Sequence, residues 1–109
     1  MKPFVVFAFL LLQLTPRAQD VYPSHWWTGM KNPILQIMVH SDSNSFKQDA
    51  TVMLNYPGVK LIKTEVAKNP HYLFITITIS QQAKPGKMDF TIHGNDRTIM
   101  HLPYVLKKR

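Results

Sequence analysis

The chain has 109 residues, 45% of them hydrophobic, no cysteine and a formal net charge of +7. That length makes one domain and not two, and the lack of cysteine excludes a disulfide framework, thiolate metal sites and a lipoprotein anchor. The charge does not point to nucleic acid, because Lys2, Arg17, Lys107, Lys108 and Arg109 gather five positive charges at the two ends and leave +2 on a body with no basic stripe.

Residues 1–18 read as a signal peptide. After Lys2, "FVVFAFLLLQL" (Phe4–Leu14) is an apolar run without strand alternation. It falls short of the roughly 20 residues that span a bilayer. Ala18, within the polar "TPRAQD", stands before the expected cut. The expected localisation is therefore periplasmic or secreted, with no membrane contact in the mature form. The 91 residues that remain must be held by their core alone.

From residue 24 onward, short apolar alternations are separated by turn residues. "HWWTGM" (His25–Met30) reads as the first strand. In "ILQIMVH" (Ile34–His40), Leu35, Ile37 and Val39 share one face, and a polar loop follows over His40–Ser45. Thr51–Asn55 and Val59–Val66 flank "YPG" (Tyr56–Gly58), where proline and glycine suit a type II turn. "LFITITIS" (Leu73–Ser80) alternates most clearly, with Leu73, Ile75, Ile77 and Ile79 on one side. Its β-branched residues fit a pleated surface and disfavour a helix. "KPG" (Lys84–Gly86) predicts a second type II turn. Lys87–His93 then puts Met88, Phe90 and Ile92 inward, "HGND" (His93–Asp96) makes a tight hairpin, and Arg97–Leu102 is the last strand.

Seven strands at roughly ten-residue spacing predict an all-β, immunoglobulin-like antiparallel β-sandwich over residues 19–103. The Cys–Trp–Cys pin of antibody domains is missing, so the likeness is one of architecture. The five histidines (His25, His40, His71, His93, His101) show no metal-ligand spacing, and six carboxylates stand singly. The glycines form no phosphate-cradling loop, and there is no GxSxG elbow. These residues describe a binding or structural module, with no catalytic residue, cofactor or metal expected.

Neighbouring strand residues point to opposite faces, so a single core does not easily hold both Trp26 and Trp27. One ring is expected to fill the sandwich. The other is expected at the surface with Tyr22 and Met30, and these four residues are the candidate interface or glycan contact. Six residues do not fix the strand's register, and the identity of the outer ring stays open.

Three segments taken together, "YPSHWWTGMKNPILQIMVH" (Tyr22–His40), "NPHYLFITITI" (Asn69–Ile79) with "AKPG" (Ala83–Gly86), and "LPYVLKKR" (Leu102–Arg109), resemble one family. It is the N-terminal domain of bacterial cyclomaltodextrinases and neopullulanases of the α-amylase superfamily, particularly those of Bacteroidetes. The resemblance implies an exported immunoglobulin-like sandwich preceding a (β/α)8 barrel that hydrolyses α-1,4-glucans. The superfamily's catalytic carboxylates lie in that barrel, so none is carried over. Residues 104–109 then read as the start of a linker. The implied role is a non-catalytic accessory domain that packs on the barrel and contributes to dimerisation or substrate access. The implied partners are the barrel or a second subunit, with α-glucan a third candidate. The alternative is a free-standing exported carbohydrate-binding or adhesion domain.

Overall fold

The computed structural model describes residues 20–42, 45–94 and 97–109, with backbone alone at 97–99. The segment read as a signal peptide lies outside the described residues. Eight strands follow in chain order: β1 (Asp20–Tyr22), β2 (His25–Trp27), β3 (Ile34–His40), β4 (Thr51–Leu54), β5 (Val59–Val66), β6 (Tyr72–Ile79), β7 (Gly86–Gly94) and β8 (Arg97–Lys107). They form two four-stranded sheets, ordered β1-β3-β6-β5 and β2-β8-β7-β4. Lettered A to G, with the first strand split between the sheets, this is the immunoglobulin order A-B-E-D against C-F-G.

The alternating residues are where their spacing puts them. Leu35, Ile37 and Val39 of β3, Leu73, Ile75, Ile77 and Ile79 of β6, and Met88, Phe90 and Ile92 of β7 are all buried in one core. Each contributes about 1.5–3 kcal/mol on full burial. The "YPG" turn is also as expected. Gly58 has φ +84°, and the Val59 N–H donates to the Tyr56 carbonyl at 3.1 Å.

Four features differ from the sequence reading. The described residues form eight strands and not seven, because Asp20–Tyr22 pairs with Met38–His40 as a separate short strand. The sandwich is not wholly antiparallel: β2 runs parallel to β8. Only Pro23 and Ser24 separate β1 from β2, and the two strands lie in different sheets, so the chain crosses from the first sheet to the second at these two residues. β8 continues past Pro103 to Lys107, so residues 104–107 are strand and not linker, with Tyr104 and Leu106 buried. Pro103 is tolerated because it lies where β8 has only β7 beside it; β2 pairs from Val105 onward. "KPG" is not a type II turn, since Gly86 opens β7. A Cβ at Gly86 would lie 2.5 Å from the Tyr56 hydroxyl oxygen, so a side chain there would displace the tyrosine from the Lys84 carbonyl. Asn95 and Asp96 of the expected hairpin lie outside the described residues, although β7 and β8 pair up to Gly94 and Arg97.

Tyr104 holds the split N-terminal segment. Its ring is 1% exposed and meets Phe90 edge-on at 6.2 Å. Its hydroxyl donates to the Pro23 carbonyl at 2.8 Å, between β1 and β2. Burial pushes the phenol well above the usual tyrosine range. The unfolded chain therefore loses this proton first, near pH 10. The group's contribution is intact below that pH and is lost as pH rises above it. Tyr104→Phe should cost about 1–2 kcal/mol at neutral pH and flatten part of the alkaline fall in stability. Urea titrations at pH 7 and above 10 check this; parallel losses for parent and variant at both pH values would contradict it.

Candidate functional site

Parallel pairing fixes the register that the sequence leaves open. Trp26 is level with Leu106, which is buried, whereas His25 and Trp27 are level with Val105 and Lys107, which are exposed. In-register residues on paired strands share a face. Trp26 is thus the inner ring and Trp27 the outer. Trp26 packs against the core but stays half-buried, because β2 is an edge strand of only three residues. Neither ring fills the interior as one was expected to. Instead they meet at the sheet edge, with centroids 5.4 Å apart and planes tilted by 55°, while His25 stands edge-on to Trp27 at 5.0 Å.

The segment after the tryptophans carries the chain from the second sheet to the first. The Thr28 N–H donates to the Lys107 carbonyl at 2.9 Å, and Gly29 takes φ +72°, a conformation that side chains rarely adopt. Arg109 donates to the Gly29 carbonyl at 3.2 Å, and the Asn32 side chain accepts the Ile34 N–H at 3.0 Å. The Pro33 carbonyl accepts the Ile79 N–H at 2.8 Å. The resemblance-bearing "WWTGMKNP" is therefore a fastened crossover.

The four candidate residues do not form one cluster. Trp26 and Trp27 touch. Met30 is half-buried in the crossover, its carbonyl accepting Gln81 Nε2 at 2.9 Å. Tyr22 is 56% exposed and sits opposite Met38, on the outer face of the first sheet, away from the face that carries Trp27. It heads a row with Met38 and Phe74, both half-buried.

Sequence reasoning missed the residues that surround Trp27. His25, Val105 (42% exposed) and Lys87 form one row across β2, β8 and β7, beside Trp27 and Lys107. Alternation in "LPYVLKK" could have shown Val105 and Lys107 outward, had the strand been followed beyond Pro103. Also missed was a depression of about 540 Å3 at one end of the sandwich, lined by Tyr56, Pro57, Gly58, Gln82 and Lys84. Among the described residues His40 lies 3.7 Å from Asp20 and 3.1 Å from Asp42, stacked on Tyr72 at 4.6 Å, and Lys63 lies 3.8 Å from Glu65. Such solvated pairs contribute about 0–1 kcal/mol. Among the described residues no three of His, Cys, Asp and Glu gather as metal ligands. What the arrangement of the described residues offers is contact surface.

The different settings of the two rings predict different losses. Trp26→Ala should destabilise the chain by roughly 2–3 kcal/mol, short of the cost for a fully buried tryptophan, and Trp27→Ala by about 1 kcal/mol. Chemical denaturation of the two variants decides this; a larger loss for Trp27→Ala would reverse the assignment. A protein-family model described as "Cyclomaltodextrinase, N-terminal" matches residues 20–109, the whole of the described fold.

Proposed function

The chain belongs to the cyclomaltodextrinase N-terminal domain family, and from that premise we propose that it serves an exported α-glucan-degrading enzyme as the domain docked on a catalytic (β/α)8 barrel through its Trp27 face. Family membership makes it an accessory N-terminal domain beside a catalytic domain of the same enzyme. Export rests on the signal-peptide reading of residues 1–18.

One observation carries the choice of face. An N-terminal domain hands its chain onward from its last strand, here β8, and the outward residues at the end of β8, Val105 and Lys107, are those that flank Trp27. The Thr28–Lys107 hydrogen bond fixes the tryptophan strand to that junction. A half-exposed tryptophan beside a valine is the kind of surface that proteins reserve for contact. Lys107 is level with it, Lys87 is level with Val105, and Arg109 donates to the Gly29 carbonyl two residues on, so the complementary partner surface is apolar with a rim of carboxylates. A second subunit is the other occupant this surface fits.

The chemistry is assigned to the barrel. Glycoside hydrolysis needs a proton donor and a second carboxylate held about 5–10 Å apart across the bond. The purified chain should therefore release no reducing sugar from starch, pullulan or cyclodextrin. Release that disappears on mutating one of its carboxylates would contradict this.

Docking is tested in the barrel-containing enzyme. Trp27→Ala should split the thermal unfolding of the two domains, or weaken dimerisation, by considerably more than it destabilises this chain alone. An equal effect with and without the barrel would mean that the ring serves only its own domain.

A further inference from the structure

The turn after β4 and the loop before β7 meet at one end of the sandwich, and the depression between them is built on fixed walls. The Tyr56 hydroxyl donates to the Lys84 carbonyl at 2.6 Å, and the Ser80 N–H donates to the Gly58 carbonyl at 2.7 Å. Gly58 has φ +84°, and a Cβ there would lie 3.0 Å from the buried Ala83, so the two segments are in direct contact. The Ser80 hydroxyl donates to Gln82 Oε1 at 2.6 Å and accepts the Gln82 N–H at 3.1 Å. The oxygen of the Gln82 amide is thus engaged and its NH2 remains as a donor, while the Lys84 ammonium makes no ion pair among the described residues.

We propose that this depression binds one pyranose unit of a carbohydrate chain. It goes beyond the docking role and is independent of Trp27. A pyranose has a face of polarised C–H bonds and a rim of hydroxyls. It needs a flat, electron-rich apolar wall and a few hydrogen-bond donors at the edge. Tyr56 and Pro57 supply ring surfaces, with the tyrosine pinned by its hydroxyl. Gln82 and Lys84 supply N–H donors for hydroxyl oxygens. The volume of about 540 Å3 lies in the roughly 300–1,000 Å3 range of small-ligand sites. Other ligand classes fit less well. An anion would find a single cation. A wholly apolar ligand would strip water from Gln82 and Lys84 without replacing it. Because the walls are already tied together, little ordering is left for the binding step.

The test is an amide chemical-shift titration of the 109-residue chain with maltotriose and, in parallel, cellotriose. The expected result is a saturable shift at Gly58 and Ser80–Lys84 with at least one trisaccharide, at a Kd on the order of millimolar. The double variant Gln82→Ala/Lys84→Ala changes exposed side chains and leaves the backbone bonds in place. It should keep a parent-like amide spectrum away from the loop and weaken binding about fivefold or more, the effect of one lost hydrogen bond. Trp27→Ala should bind as the parent does. Shifts centred on His25, Trp27 and Val105 and lost in Trp27→Ala would overturn the proposal. So would binding indifferent to the double variant, or no saturable shift with either sugar.

Discussion

The hydroxyl of Tyr104 reaches the carbonyl of Pro23 at the point where the N-terminal segment passes from one sheet to the other. β1 and β2 have three residues each, too few to hold a position by ladder bonds alone, yet each closes one edge of a sheet. Tyr104 projects from β8 into the core, bears on Phe90 of β7, and spends its one donor on that crossing point. The buried hydroxyl would be costly if left unpaired, so the hydrogen bond specifies where the crossing must lie. The register of β2 against β8 follows, and with it the choice of which tryptophan faces in. The surface argued to meet a catalytic domain is thus set by a contact on the inside.

The sandwich was legible wherever burial is one-sided and the strand long. "LFITITIS" and "KMDFTIH" alternate without a break, and a register slip of one residue would turn their entire apolar face to water. Legibility failed where a long-range partner decides the outcome. Pro103 reads as a stop until β8 is seen to lack a second neighbour at that position. Phe46 sits in a polar run, yet it is 1% exposed, with its N–H on the Pro70 carbonyl, 24 positions along the chain. Gly86 looked like a turn glycine and proved to be clearance for the hydroxyl of Tyr56.

The candidate surfaces were legible in part, for the same reason. A pair of tryptophans on one short strand announces that one ring must be special, but assigning it needs the parallel partner, which lies some 80 residues away in sequence. Tyr22, four positions before Trp26, belongs to the other sheet and the opposite face. The end depression draws its walls from two separate segments, 56–58 and 82–84, and neither carries a recognisable motif. Family membership was legible earlier than any of this, because the crossover "WWTGMKNP" is a fastened piece of backbone whose glycine, asparagine and proline each have a defined local task.

The free edge of the first sheet sets a limit on how copies of this domain can meet. β5 is eight residues long and would offer a template for another strand, but Ile62 interrupts its pairing register between Leu61 and Lys63 and stands 49% exposed. Lys60 and Lys63 place two charges on the same short edge. A bulge and lysines are devices that blunt strand-by-strand addition. A domain whose described elements are all strands, with no disulfide to confine its excursions, is thereby guarded against growing into continuous sheet, and its associations are directed to the broad faces.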